Sequence, residues 1–472
     1  MSGLADVAGL ADLRPEREDV RMGDTLVQGA DGLLSLDIDA DRLLGRIAAL
    51  GRIGLDERTG GITREGFSAA DREARGYLMD EARGAGLVPA VDAAGNLIVR
   101  PRPRLGEQPG ERQALMMGSH LDTVVNGGRL DGAYGVLAAL EVLQTLADSG
   151  VHLPYEPVAV AFANEEGALF PQPFWGSMAI AGRLAELPRE PRDHDGRPLR
   201  EALRLAGGDL DALGSAGWPH GSVAAYLELH VEQGPVLERS GNRIGVVDAI
   251  TGRTVLTVEV RGAAGHSGTS PMEGRRDALA AAGRVVLAVE HIARDRKLCR
   301  VGTVGRLDPH PNTPNTIPGM VRLTVDLRDT DVWRAAAAEE TLRRALRTIA
   351  ADTGTEIEVV AETRSDPVST DPVLRAAIEC SADELGLAHE VLPSGAGHDA
   401  QMVADIAPIG MIFVPSIGGI SHVPEEDTAP RDLVAGARVL LRTAMRVTGL
   451  SERSASGRPA RRELARARDH EQ

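Results

Sequence analysis

Apolar runs that end in polar tips recur along the first half of the chain. "ALMMGS" (114–119) is almost continuously apolar and runs straight into the turn-rich stretch "HLDTVVNGGRLDGAYG" (120–135). "PVAVAFANEEG" (157–167) ends in two acidic residues, and "AAYLELHVEQG" (224–234) repeats the pattern with a histidine. Helical patterns lie between them. "SAADREARGYLMDEARGAGL" (68–87) opens with Ser68 as a candidate cap and closes on glycines, and Gly132 to Ser149 reads as a helix directly behind a polar tip. Strand, polar tip and helix in repetition predict an α/β sheet, and the ligands of such sheets gather outside the carboxyl ends of the strands.

The pattern changes at about Thr251. "RTVLTVEVRG" (253–262) alternates like a half-exposed strand, and "GRRDALAAAGRVVLAVEHIARD" (274–295) reads as a helix. "CRVGTVGRL" (299–307) and "GMVRLTVDLRD" (319–329) are two more strands, "DVWRAAAAEETLRRALRTIAAD" (331–352) a second helix, and "EIEVVAE" (356–362) a last strand. Strand–helix–strand–strand–helix–strand describes a small α+β unit of ferredoxin-like type. After about Ser365 the first texture returns, with "DPVLRAAIECSADELG" (371–386) as a helix and "APIGMIFVP" (407–415) as a buried strand. The expected organisation is an α/β domain in two parts, 36–250 and 366–449, interrupted by a smaller α+β domain, 251–365. The arginine-rich, polar tail 450–472 reads as a disordered end on composition.

Length and charge narrow the function. A chain of 472 residues should build more than one hydrophobic core, since single cores stop growing near ~250–300 residues. A formal charge of −17 argues against nucleic acid or an anionic membrane as partner, so an anionic substrate would need a local arginine. Lys297 is the only lysine, which we read as genome composition. Cys299 and Cys380, the only cysteines, give neither a disulfide framework nor a thiolate metal motif. The N-terminal residues lack the pattern of a signal peptide, and no apolar run approaches the ~20 residues of a membrane span. The expectation is a soluble cytoplasmic protein.

The polar tips carry the candidate chemistry. His120 and Asp122 are two apart, so at an extended strand end they face the same way, as suits a metal-ligating histidine held by a neighbouring carboxylate. Asp131 lies past a glycine-rich turn that can fold it back beside His120. In the pair Glu165–Glu166 one carboxylate can bind metal while the other serves as base toward water. His230 and His422 sit at two further strand ends or loops. Taken singly, the glutamate pair also fits a solvated acidic loop and His230 a core histidine. Every candidate, however, follows an apolar strand. Imidazoles and carboxylates without thiolates suit Zn²⁺, and also Mn²⁺, Co²⁺ or Ni²⁺.

"GSHLDTVVNGGRLDGAYGVLAALE", "NEEG", "GSMAIAG", "ELHVEQGPVLE", "IGVV", "GAAGHSGTSPM", "RRDAL", "PNTIPG", "DLRD", "SGAGHDA" and "GISHVPEE" stand in an order that resembles the M20-type amidohydrolases. Among these the chain is similar to the hydantoinase/carbamoylase group, which includes N-carbamoyl-L-amino acid hydrolases, β-ureidopropionases and allantoate amidohydrolases. The resemblance runs from about Leu36 to Gly449. It implies a metallopeptidase-like catalytic domain with an inserted lid, dimerisation through that lid, and two divalent metal ions per subunit, with Zn²⁺ preferred.

Residue by residue, the resemblance implies that His120, Asp131 and His230 bind one metal. Asp131, Glu166 and His422 bind the other, with Asp131 bridging. Glu165 becomes the general base that deprotonates the attacking water and passes the proton to the leaving nitrogen. His266, in "GHSGTSP", reaches into the opposite subunit's site as an oxyanion donor. Arg328 grips the substrate carboxylate as a planar fork. Gln233 and Asn315 hydrogen-bond the ureido or carboxylate end, and backbone around Gly397 completes the pocket. One departure is Leu169, where the group usually carries arginine. "GHSG" lacks the G-x-S-x-G frame of a serine nucleophile, and no phosphate-binding loop is found. The expected activity is hydrolysis of the carbamoyl C–N bond of an N-carbamoyl-L-amino acid to amino acid, CO₂ and ammonia. Allantoate and N-carbamoyl-β-alanine are close alternatives as substrate. A related metallopeptidase, or a catalytically silent dimeric relative, stands further off.

Overall fold

The apolar runs become strands whose polar tips meet on one edge of a sheet. In the computed structural model the described residues are 36–449 without 104–105, 108–109 and 185–189, so the reading of the arginine-rich tail lies outside them. The first half supplies β1 (Val88–Val91), β2 (Leu97–Arg100), β3 (Ala114–His120), β4 (Glu156–Phe162), β5 (Val223–Val231) and β6 (Ile244–Ile250). The middle supplies β7 (Gly252–Arg261), β8 (Gly265–His266), β9 (Val301–His310), β10 (Thr316–Ile317), β11 (Met320–Asp329) and β12 (Glu356–Ser365). Then come β13 (Val368–Ser369), β14 (His389–Ser394) and β15 (Ile409–Val414).

The main sheet has the order β1-β2-β4-β3-β5-β15-β6-β13, with β14 added on β6. Its centre, β4-β3-β5-β15, is parallel throughout. Alternate residues of these strands enter different cores. Leu115 and Met117 join one cluster and Ala114 and Met116 another, so both faces are covered and the strands read as unbroken apolar runs. The helix Ala133–Asp148 packs against β3 and is buried along most of its length. Ser68 does cap the helix Ala69–Gly84, its side chain accepting from the Asp71 amide at 3.2 Å. No described helix is long and apolar enough to cross a membrane.

β6 ends the main sheet's run at Ile250 and β7 opens a second sheet at Gly252. That sheet is antiparallel with order β12-β7-β11-β9. Its even positions Leu256, Val258 and Val260 on β7 and odd positions Val321 to Leu327 on β11 form a core of their own with two helices. One helix (Ala278–Glu290) starts four residues later than the pattern predicts, because Asp277 caps it through the Leu279 and Ala280 amides. The stretch His291–Asp295, expected to continue that helix, is a π-helical turn. The other helix, Val332–Thr353, is capped by Asp331 and stopped by Gly354 at φ 64°. The opposite face of this sheet is polar and carries Arg253, Asp326 and Arg328.

Candidate active site

The carboxyl ends of the four parallel strands converge on one cluster. His120 is the last residue of β3, His230 is next to last in β5, Glu165 and Glu166 follow β4, and His422 lies in the loop after β15. Asp131 returns on the glycine-rich turn and stands among three imidazoles. Its Oδ1 is 3.2 Å from His230 Nε2 and 3.7 Å from His120 Nε2, while Oδ2 is 3.0 Å from His422 Nε2. His120, Asp131 and His230 form one triad of donor atoms within 4.8 Å of one another, and Asp131, Glu166 and His422 form a second. Asp131 belongs to both. Gly132 makes the turn possible: its φ is 63°, and a Cβ there would fall 2.4–2.5 Å from the His120 ring.

Main-chain contacts fix these groups. His120 Nδ1 lies 2.9 Å from the Asp122 carbonyl and His230 Nδ1 2.8 Å from the Val231 carbonyl. A carbonyl only accepts, so each Nδ1 carries a proton and each Nε2 is turned toward Asp131. The Asp122 side chain does more than the sequence suggests. It stands 3.9 Å from His120 Nδ1, and its two oxygens accept the Glu165 and Glu166 amides at 3.1 Å each. It therefore sets the glutamate pair while standing beside the imidazole that the Asp122 carbonyl holds. Glu426 does the same for Asp131, accepting the Leu130 amide at 3.1 Å and the Asp131 amide at 3.0 Å.

The donor set fits divalent cations. Two imidazole Nε2 atoms beside a carboxylate that can only accept need a cation between them. The proton affinities of the groups around Asp131 show how strongly the site calls for positive charge. Burial lowers the affinity of His230 for a proton, yet Asp131 outweighs it and brings His230 up to about 9. The hydrogen bond to Asp131 brings His422 up to about 9 as well. Burial and then the Asp131 charge push Glu166 up to about 8, and its Oε1 has no hydrogen-bond partner although His422 Nε2 is 3.5 Å away. Burial and the Glu166 charge also raise Glu165, whose Oε2 lies 3.9 Å from His120 Nε2. Buried carboxylates without compensating cations are costly, and metal ligation is the usual remedy.

Backbone strain is concentrated here. Asn164, Phe174, Gln233 and His422 all have φ between 52° and 61°. Such residues cost about 1–3 kcal/mol each and persist where the surroundings hold them.

A cleft of about 240 Å³ opens onto the cluster, lined also by Phe174, Gln233, Arg253, Arg328, Gly397 and Gln401. Gln233 Nε2 donates to Asp131 Oδ2 at 3.1 Å and Ser421 Oγ at 3.2 Å, leaving Oε1 buried and unpaired. Gly397 leaves room for Phe174, whose Cζ would lie 2.8 Å from an added Cβ. Leu169 does not line the cleft; it packs on the apolar cluster of Phe67, Phe170 and Trp175. His266 and Asn315 also lie off the cleft. They are neighbours on the β8–β10 ribbon, where the Ser267 amide donates to the Asn315 carbonyl at 3.0 Å, and both are exposed. His266 Nδ1 accepts the Gly268 and Thr269 amides at 3.1 and 3.2 Å, so its Nε2 carries the proton and is the donor.

The family model "Peptidase family M20/M25/M40" matches residues 116–446. The chain belongs to that family. Within it, an N-carbamoyl-L-amino acid amidohydrolase of Geobacillus stearothermophilus is 41% identical over 414 residues, covering 86% of this chain and 98% of the relative. An allantoate amidohydrolase of Bacillus subtilis is 35% identical over 386 residues, covering 81% and 91%. The crystal structure of a hydantoinase/carbamoylase family amidase from Burkholderia multivorans superposes with a TM-score of 0.77 at 35% identity, covering 88% of this chain and 99% of that one. The motif resemblance to the hydantoinase/carbamoylase members of M20 is thus borne out over most of the chain.

Proposed function

We propose that this M20 protein hydrolyses the carbamoyl C–N bond of an N-carbamoyl-L-amino acid. The observation that carries the reading is the Asp131 carboxylate, which gives one oxygen to each of two ligand triads beside an unassigned buried carboxylate, Glu165. His120, Asp131 and His230 would hold one divalent cation and Asp131, Glu166 and His422 the other, with Zn²⁺ the first choice for this donor set. When bound, such a pair supplies Lewis acidity to the ureido carbonyl and lowers the pKa of water. Glu165, fixed through its amide by Asp122, takes the proton of the attacking water and returns it to the leaving nitrogen. Gln233 Oε1 can accept a ureido N–H. Arg328, on the cleft wall, receives the substrate carboxylate. The balance is one ureido acid and one water giving amino acid, CO₂ and ammonia.

We assign residues 251–365 as an inserted lid through which two chains pair. His266 and Asn315, absent from the lining of their own cleft but adjacent on one ribbon, would complete the partner's site, with the His266 Nε2–H donating to the oxyanion. Allantoate is the second substrate reading, supported by the Bacillus subtilis relative. A screen of N-carbamoyl-L-amino acids, N-carbamoyl-β-alanine, allantoate and dipeptides, scored for amine and ammonia release, tests this directly. Ammonia and amine in equal amounts from the carbamoyl amino acids are expected. Turnover of dipeptides alone would overturn the reading in favour of a peptidase.

A further inference from the structure

Arg328, the residue assigned to the substrate carboxylate, already faces a carboxylate of its own chain. Its Nε donates to Asp326 Oδ1 at 3.2 Å, its Nη2 to Oδ2 at 3.1 Å, and its Nη1 to the Gly395 carbonyl at 2.8 Å. The fork that would bind substrate is thus occupied by Asp326, and an Arg328–Asp326 pair alone is neutral. A neutral pair attracts an anion weakly.

Arg253 changes that count. It stands directly opposite Arg328 in the β7–β11 register, on the same polar face, and lines the same cleft. Its Nε donates to Asp326 Oδ2 at 2.9 Å, and Nη2 lies 2.8 Å from the same oxygen. Burial raises the Asp326 carboxyl, but the two guanidiniums outweigh this and hold it below the usual aspartate value, so it stays charged. Two permanent cations and one anion leave the wall with a single positive charge. Among the described residues, Arg253 and Arg328 are the only arginines lining the cleft, and no lysine lines it. A guanidinium has five N–H donors, and Arg253 keeps most of them free of Asp326.

We propose that Arg253 supplies the net positive charge with which the cleft receives a substrate carboxylate, making Arg253 a substrate-binding residue and the wall suited to monocarboxylates. This rests on the ureido-acid reading and adds a charge count to it. Asp326 splits the two guanidiniums, keeps them from repelling one another, and limits the wall to one charge.

The test uses the metal-loaded protein with N-carbamoyl-L-methionine and N-carbamoyl-L-glutamate as probes. Arg253→Gln removes the charge and keeps a polar side chain. It should raise KM for N-carbamoyl-L-methionine roughly tenfold, the scale of a hydrogen bond to a charged group, with a much smaller change in kcat. The double variant Arg253→Gln/Asp326→Asn restores a single charge through Arg328 alone and should recover most of that loss. Asp326→Asn alone gives the wall a second charge and should shift preference toward N-carbamoyl-L-glutamate. A purely structural role for Arg253 predicts no rescue, because the double variant removes still more of the network. Unchanged KM in Arg253→Gln, or a double variant no better than the single, would overturn the proposal. A wild type that acts on dipeptides alone overturns the ureido-acid reading instead, and the same KM comparison on the dipeptide then decides Arg253. A wild type without any turnover sinks both.

Discussion

Two histidine-bearing regions of this chain are built in contrasting ways. The cluster around Asp131 is assembled from four strand ends of one sheet, and His120, His230 and Asp131 are buried and tied to main-chain atoms. The β8–β10 ribbon holds His266 and Asn315 in the open, away from the cleft of their own chain. The first region is finished when a single chain folds. The second has a donor prepared, through the Nδ1 contacts of His266, with no acceptor for it among the described residues. Folding therefore decides the ligand cluster, and assembly, in our reading, decides the oxyanion donor.

The largest effects belong to the cluster. Removing divalent cations with a chelator should abolish turnover, and two ions per subunit, measured by elemental analysis, should restore it. Full activity in metal-free protein would end the dinuclear reading. Glu165→Gln keeps the shape but removes the base, so kcat should fall by roughly 10²–10⁴ with metal content intact. Glu166→Gln should lower metal occupancy instead. Equal metal loss in both variants would mean that base and ligand have been exchanged.

The ribbon comes next in size. His266→Ala should cost roughly 10²–10³ in rate, the usual worth of a positioned oxyanion donor. Complementation separates a shared site from a local one. Inactive His266→Ala and inactive Glu165→Gln chains are mixed and allowed to exchange. A mixed dimer then holds one site with Glu165 from one chain and His266 from the other, so roughly a quarter of wild-type activity should return under random pairing. If exchange is verified and the mixture stays inactive, the ribbon serves no neighbouring site and the contrast between the two regions collapses.

Much of the first region was legible in the sequence because its physics is local. An apolar run followed by glycines, a histidine and aspartates can be read as a strand end, and four such ends in parallel strands must meet at one edge. The strands and two helices of the second sheet were legible for a similar reason, since their alternation and helical runs are written into adjacent residues. What escaped depends on register and on side-chain direction. Spacing placed Asp122 beside His120, but not the turn after β4 that brings the Glu165 and Glu166 amides onto the same carboxylate. Glu426 sits beside Glu425, and only the folded loop determines which one turns inward to hold the Asp131 amide. Arg253 resembles any exposed position of an alternating strand until the β7–β11 register sets it opposite Arg328.

The smallest effect we expect sharpens the contrast from the side of the cleft wall, where geometry matters more than burial. Arg328 is about a third exposed, so its charge is screened and its worth lies in its shape. It meets Asp326 with two parallel N–H groups and the Gly395 carbonyl with a third, which fixes the plane of the guanidinium. Arg328→Lys keeps the charge, but an ammonium has three donors on a flexible stem and no plane. It cannot serve Asp326, Gly395 and a substrate carboxylate in one arrangement. We expect KM for a carbamoyl amino acid to rise by roughly tenfold, with kcat changing less, because the lost interaction is made in ground and transition state alike. The matching substrate with its carboxylate converted to an amide should be poor for the wild type and nearly indifferent to the substitution. If both substrates suffer equally, Arg328 works by tying the β11 edge to Gly395 rather than by receiving an anion, and the wall is a structural support for the cluster behind it.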